Sequence, residues 1–246
     1  MKRLFLFLIG IVVIYFYYYC LEYSEDAETS MKTRTLSNDG FIVFHQQNYD
    51  TENGWNHEIK AKTLTFLPEG YVFLDYVYAI KDTTLSTFHR DVTSSQHIYH
   101  TIHPVYTLIM YQYDGCFLSL CPGSHRSYPF VHTPIVTVYG IAGTCFLFDC
   151  DVLHAGCSSK CSPRSIIQYK VCHRDDLLTL QHLQGIFIEK KDECKNTLYY
   201  QCIRKLSYLF EFPINYIFYP LLIKKEDNGI VGLLQDTIPI QFYNNT

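Results

Sequence analysis

Little in this chain argues for a nucleic-acid partner. Of 246 residues only 20 are Lys or Arg against 24 Asp or Glu, and the formal net charge is −4. No basic cluster is interleaved with aromatics, as a phosphate-binding surface requires, so nucleic acid is disfavoured as the main partner. Tryptophan is reduced to Trp55. Ten cysteines are present, but none stands in a Cys-x-x-Cys pair, which argues against a zinc knuckle. The close pairs Cys116/Cys121, Cys145/Cys150 and Cys157/Cys161 fit either disulfides in an oxidising compartment or small buried hydrophobes in a reducing one. Cys157 and Cys161 stand where a bridge would close the reversal before Arg164. Internal repeats and low-complexity tracts are missing too, so neither a solenoid nor a disordered tract is expected.

What is abundant is aromatic and β-branched sequence. The chain has 22 Tyr and 17 Phe, and Val/Ile/Thr runs recur between Gly, Pro and Asn, a pattern that favours strands over long helices. The length supports one sizeable core. Strands are expected at 41–44, 71–80, 105–113, 116–121, 135–138, 143–149 and 164–171. Asp114-Gly115 reads as a hairpin turn, and 149–151 as a turn. Residues 48–62, polar and turn-rich, read as a surface loop placed to cover one mouth of the domain. Residues 192–210 carry Leu198, Cys202, Leu206 and Leu209 at the spacing of one helical face, ended by Pro213. Residues 214–223 are apolar but too short to span a bilayer, and Asn244-Asn-Thr246 is a sequon.

The N-terminus holds the one long apolar run. Lys2-Arg3 precede an uncharged stretch at 4–21, with Tyr15, Tyr17, Tyr18 and Tyr19 at its far end and acidic residues beyond. This reads as an uncleaved transmembrane signal anchor at 1–21, with the remainder lumenal or extracellular. A cleaved signal peptide is disfavoured because no small-residue cleavage site follows, and a buried strand pair is the third reading. Residues 22–35 read as a polar linker, and 36–246 as the folded domain.

The chemistry concentrates between residues 88 and 164. His89 and Asp91, two apart on a strand, share a face, so an imidazole and a carboxylate can meet one ion. His154 is the candidate second imidazole. Together they make the two-His-one-carboxylate set that suits non-haem Fe(II) and leaves positions open for a co-substrate and oxygen. Arg164, at the head of the run Arg164-Ser-Ile-Ile-Gln-Tyr-Lys-Val171, is placed to grip a dicarboxylate by a forked pair of hydrogen bonds. Tyr106, Tyr111 and Gln168 lie on flanking strands and are candidates for the same ligand. His97, His100 and His103 recur at intervals of three beside Pro104. They read as a loop near the site's mouth rather than as a second metal centre. Asp149 and Asp151 read as turn formers that support the imidazole.

Three stretches carry a resemblance: Asp39-Gly40-Phe41-Ile42-Val43, then Pro122-Gly123-Ser124-His125, then the ten-residue interval from His154 to Arg164. In this order the chain resembles the phytanoyl-CoA dioxygenase-like family of Fe(II)/2-oxoglutarate-dependent dioxygenases over residues 36–175. The resemblance implies a mainly β, double-stranded β-helix (jelly-roll, cupin-like) barrel with flanking helices. It further implies Fe(2+) held by His89, Asp91 and His154, and 2-oxoglutarate reaching Arg164. The implied reaction is hydroxylation of an organic substrate, with release of succinate and carbon dioxide; a small molecule or lipid is the expected substrate, and a residue on a secretory-pathway protein or its glycan stays open. The presence of Asp91 argues against halogenation. A prolyl- or lysyl-hydroxylase-like enzyme acting on protein is a second oxygenase reading, and a non-catalytic jelly-roll binding module is the reading from another class. No feature of the sequence fixes the oligomeric state.

Overall fold

The computed structural model describes residues 7, 9–10, 21–46, 57–81, 87–127, 133–156, 165–191 and 198–211. The chain runs β1 (Glu22–Asp26), α1 (Ala27–Thr33), β2 (Phe41–His45), α2 (His57–Leu64), β3 (Tyr71–Phe73) and β4 (Tyr76–Lys81). It continues with the single turn α3 (Gln96–Tyr99), β5 (Tyr106–Tyr111), β6 (Gly115–Leu120), β7 (Ile135–Gly140), β8 (Thr144–Asp149) and β9 (His154–Gly156). Last come β10 (Ser165–His173), β11 (Ile186–Lys191) and α4 (Leu198–Leu209). The protein is mainly β, as its composition implied.

Two sheets result. One has the order β1-β7-β6-β9 and the other β11-β4-β10-β5-β8-β2, with β3 paired to β10. Alternation along the strands decides which residues lie between them. Ile109 and Tyr111 of β5, Phe146 and Phe148 of β8 and Ile166 of β10 join Phe117, Leu118, Leu120, Val136 and Val138 of the smaller sheet in one buried cluster. The intervening positions, Leu108, Met110, Leu147, Tyr169 and Val171, face the other way and pack with Ile59 of α2. Each large side chain buried in this manner contributes about 1.5–3 kcal/mol. Neither sheet closes among the described residues, so the expected barrel is a pair of facing sheets.

Several expectations need correction. Most of the expected linker 22–35 is folded, as β1 and α1. β1 pairs in parallel with β7, Asp26 caps α1 by accepting from the Thr29 amide at 2.8 Å, and Arg34 pairs with Glu25 and with Asp39 at 3.1 Å. The strand expected at 71–80 breaks at Leu74-Asp75. β5 and β6 are no hairpin: β5 lies between β10 and β8, whereas β6 lies between β7 and β9. Gly115, at φ 135°, carries the chain from one sheet to the other. Part of the expected loop 48–62 is helix α2, held by the fully buried Ile59. In α4 three of the four stripe residues, Leu198, Cys202 and Leu206, are exposed and only Leu209 packs inward, while Arg204, Ser207 and Tyr208 are buried.

No helix among the described residues is long and apolar enough to cross a membrane. This leaves the expected N-terminal transmembrane helix without support and overturns the single-pass lumenal or extracellular placement built on it. Most of 1–21, residues 47–56 with Trp55, Cys157, Cys161, and everything from 212 onward lie outside the described residues. Cys116 is disulfide-bonded, and Cys121, Cys145, Cys150 and Cys172 are buried free thiols.

Candidate metal centre

The two histidines proposed as ligands, 65 positions apart, are cross-strand partners. His89 and His154 form a single antiparallel bridge, with amide-to-carbonyl hydrogen bonds of 2.9 and 3.0 Å in the two directions. Their rings lie 4.5 Å apart, centroid to centroid. The Asp91 amide donates to the Cys150 carbonyl at 2.9 Å, which fixes the carboxylate's segment, an isolated bridge rather than the expected strand, beside the turn that leads into β9. Asp91 Oδ1 then stands 3.9 Å from His89 Nε2 and 3.8 Å from His154 Nε2. The structure thus brings His89, Asp91 and His154 together as a set able to hold a metal ion.

Each imidazole is oriented through its other nitrogen. His89 Nδ1 lies 2.8 Å from the Thr87 carbonyl and His154 Nδ1 2.9 Å from that of Val152. A carbonyl can only accept, so both Nδ1 atoms carry a proton, which leaves each Nε2, turned toward Asp91, as the nitrogen available to a metal. Burial, then the neighbouring His89, push the His154 imidazole down to about 3, so it stays neutral and able to donate its Nε2 lone pair. His154 is closed in against Phe148 and only 4 % exposed, whereas His89 is 32 % exposed. The open side of the site is therefore the His89 side.

The second oxygen of Asp91 is fully engaged. Asp91 Oδ2 accepts from Lys170 Nζ at 2.6 Å and from Thr107 Oγ1 at 2.5 Å. Lys170 Nζ also donates to Thr107 Oγ1 at 2.8 Å. Burial alone would raise the Asp91 carboxyl, but the Lys170 ammonium, supported by His154 and His89, holds it well below the usual carboxylate range. Lys170 was not foreseen. Its signal is weak but present: Ile166, Gln168 and Lys170 alternate along β10, and Ile166 faces the core between the sheets.

The remaining predicted residues divide. Gln168 shares the inward face of β10 with Lys170. Tyr111 also faces the core, but its hydroxyl donates to the Phe117 carbonyl at 3.0 Å. Tyr106 is corrected: it lies on the opposite face of β5 from Thr107 and packs against Tyr71, because the pleat reverses side chains at each residue. Arg164 lies outside the described residues. Asp149 and Asp151 form the expected turn, with the Asp151 amide donating to Asp149 Oδ1 at 2.8 Å.

Arg90, between the two ligands in sequence, points the other way and is completely buried. It makes a forked pair with Glu211 at 3.1 Å in both arms and donates to the carbonyls of Ser124, at 2.8 Å, and Asp151. One guanidinium thus ties the ligand segment to the Pro122–His125 turn and to the end of α4. The opening stretch closes on the same turn. The Gly123 amide donates to the Asp39 carbonyl at 2.8 Å, and Gly40, at φ 80°, leaves space that a Cβ would fill 2.3 Å from His125 Nδ1. α4 adds Ser207, which accepts from the Phe88 amide at 2.8 Å, and Arg204, which donates to the Gly156 carbonyl at 2.8 Å.

No family model and no curated protein matches the chain. Among solved structures it is similar to EvdMO1, with a TM-score of 0.44 and 12% identity over 60% of this chain and 50% of that one, so it spans half the length of EvdMO1. It is also similar to the non-heme alpha ketoglutarate dependent epimerase SnoN from nogalamycin biosynthesis, with a TM-score of 0.42 and 14% identity over 68% of this chain and 93% of that one. A third similar structure is HygX from Streptomyces hygroscopicus with nickel and 2-oxoglutarate bound, with a TM-score of 0.43 and 12% identity over 56% of this chain and 84% of that one.

Proposed function

We propose that the protein is an Fe(II)- and 2-oxoglutarate-dependent oxygenase of the phytanoyl-CoA dioxygenase-like kind, hydroxylating a small organic or lipid molecule. The observation that carries this reading is the convergence of His89 Nε2, His154 Nε2 and Asp91 Oδ1, with the other Asp91 oxygen already bonded to Lys170 and Thr107. Two imidazole nitrogens and one carboxylate oxygen are the donor set preferred by non-haem Fe(II) with open positions. The strand order β4-β10-β5-β8 opposite β7-β6-β9, with the His89 segment bridged to His154, fits a double-stranded β-helix.

Bound there, Fe(II) supplies the coupling of 2-oxoglutarate decarboxylation, giving succinate and carbon dioxide, to oxygen insertion into a substrate C–H bond. The chain's own work is positional. The two Nδ1–H groups lock the imidazoles by their bonds to carbonyls, and Lys170 with Thr107 restrict Asp91 to one donating oxygen. His154, Phe148 and the core behind them exclude water from the closed side, so substrate is admitted past His89. Gln168 faces inward on β10, the strand that Arg164 precedes, and the two are the residues assigned to the co-substrate's far carboxylate.

The test is succinate release from 2-oxoglutarate by the full chain with Fe(II) under air, with His154→Ala as control. The expected result is turnover in the parent, even without substrate, and at least a ~10³-fold loss in the variant, as for removal of a group essential to the chemistry. Absence of both turnover and calorimetric 2-oxoglutarate binding in iron-loaded protein sinks this reading and leaves the binding module.

A further inference from the structure

The loop before β5 and the chain leaving β10 emerge at one end of the larger sheet, because the strands are antiparallel with Tyr106 opposite Val171. There a second pair of imidazoles meets a carboxylate. His173 Nδ1 lies 3.2 Å and His103 Nε2 3.6 Å from Asp175 Oδ2, and the two rings are only 3.9 Å apart between centroids. The three residues offer donor atoms close enough to share one ion. For bonds of the length zinc makes to nitrogen and oxygen, a tetrahedral ion needs donors separated by about 3.3–3.5 Å. The two separations from Asp175 bracket that value.

Other residues hold this arrangement in place. Asp176, buried beneath the cluster, accepts from the Ile102 amide at 2.7 Å and the His103 amide at 3.0 Å, which joins the His103 loop to the turn bearing Asp175. Thr101 Oγ1 donates to the His103 carbonyl at 2.9 Å. His173 stands edge-on to Tyr71 and occupies space left by Gly70, whose φ is 100° and where a Cβ would come within 2.1 Å of His173 Nε2. The Asp175 amide donates to His173 Nδ1 at 3.3 Å, so that nitrogen is unprotonated, and an ion bound there takes its single lone pair over from this long bond. An ordinary surface ion pair needs one imidazole, not two imidazoles in contact and turned to one oxygen.

We propose that His103, His173 and Asp175 form a second metal site, for a divalent ion of the zinc class, which staples the loop before β5 to the end of β10. Imidazole and carboxylate donors suit Zn²⁺, and Asp175 is 60 % exposed, so the ion enters directly from solvent. The site is separate from the triad and does not depend on the proposed reaction.

The test is a Zn²⁺ titration of the metal-free full chain, read by calorimetry, with Co²⁺ absorption as a check for a tetrahedral site. The parent is expected to bind two equivalents. A His89→Ala/His154→Ala variant should keep one, and in that background Asp175→Asn or His103→Gln should weaken it at least ~100-fold. Both substitutions fall at positions with substantial exposure, where the fold tolerates them. The proposal is overturned if the triad-free protein binds no zinc, or if neither substitution changes its affinity. A parent that binds a single equivalent, lost with Asp175→Asn and unaffected by removing the triad, would support this site and sink the oxygenase reading.

Discussion

The protein contains two clusters of the same composition, two histidines and one aspartate, in opposite surroundings. At His89, Asp91 and His154 the carboxylate is buried and its charge is met by the Lys170 ammonium. At His103, His173 and Asp175 the carboxylate is exposed and no ammonium or guanidinium bond to it is seen among the described residues. A third carboxylate, Asp149, is buried with Asp151 as its neighbour, which favours its protonated form as pH falls through neutrality. One fold thus handles a carboxylate charge in three ways: by a fixed cation, by water and by protonation. Only the first keeps a pre-shaped, charged ligand in a dry site.

The largest expected effect breaks the first of these. Lys170→Met keeps the volume of the side chain but leaves Asp91 buried without its cation, at a cost of about 3–5 kcal/mol in the metal-free protein. Denaturant unfolding measures it. Adding Fe(II) anaerobically should recover most of the loss, because the ion then replaces the ammonium as counter-charge. A variant as stable as the parent without metal would show that Lys170 does not hold Asp91.

Asp149 sharpens the comparison by sign. Burial, then the Asp151 carboxylate, push its carboxyl up to about 7. Between an unfolded value near 3.9 and that point the native state keeps a proton which the unfolded chain releases. Its stabilising contribution is therefore complete below about pH 4 and is lost as pH rises through 7, with a slope of at most about 1.4 kcal/mol per pH unit. In Asp149→Asn, which still offers an acceptor to the Asp151 amide, the stability difference from the parent should change across that window and level off above it. A difference independent of pH would mean that Asp149 is ionised throughout.

What could be read from the sequence follows the same division. His89, Asp91 and His154 were legible because a ligand pair two apart and a third imidazole in a set order are a pattern in the residues themselves. Lys170 was not, since a lone lysine in a strand says nothing until the strand's facing is known. The placement of Tyr106 failed by one residue of alternation: Thr107 is the inward neighbour. The Asp114-Gly115 turn was correctly placed, but a turn does not reveal whether its strands pair or part to different sheets. In α4 the apolar periodicity pointed to the wrong face, because the buried face uses Arg204, Ser207 and Glu211 to bond main-chain groups and the Arg90 guanidinium. Hydropathy at the N-terminus suggested a membrane helix that no described helix supplies.

The smallest effect separates the two clusters most cleanly. In metal-free protein, Asp175→Asn removes a carboxylate that water already solvates, and an exposed ion pair contributes little. The change in unfolding free energy should stay within about 0.5 kcal/mol, against several for Lys170→Met. Zinc reverses the ranking. An ion that binds only the native state stabilises the parent in proportion to the logarithm of its concentration over the dissociation constant, and Asp175→Asn forfeits that gain. Lys170→Met should gain from metal at the buried triad and be indifferent to the loss of Asp175, because the two sites share no ligand. If thermal unfolding with and without Zn²⁺ shows the two variants responding alike, the clusters are not distinguished by how their charge is held, and burial alone does not decide which of them needs a built-in cation.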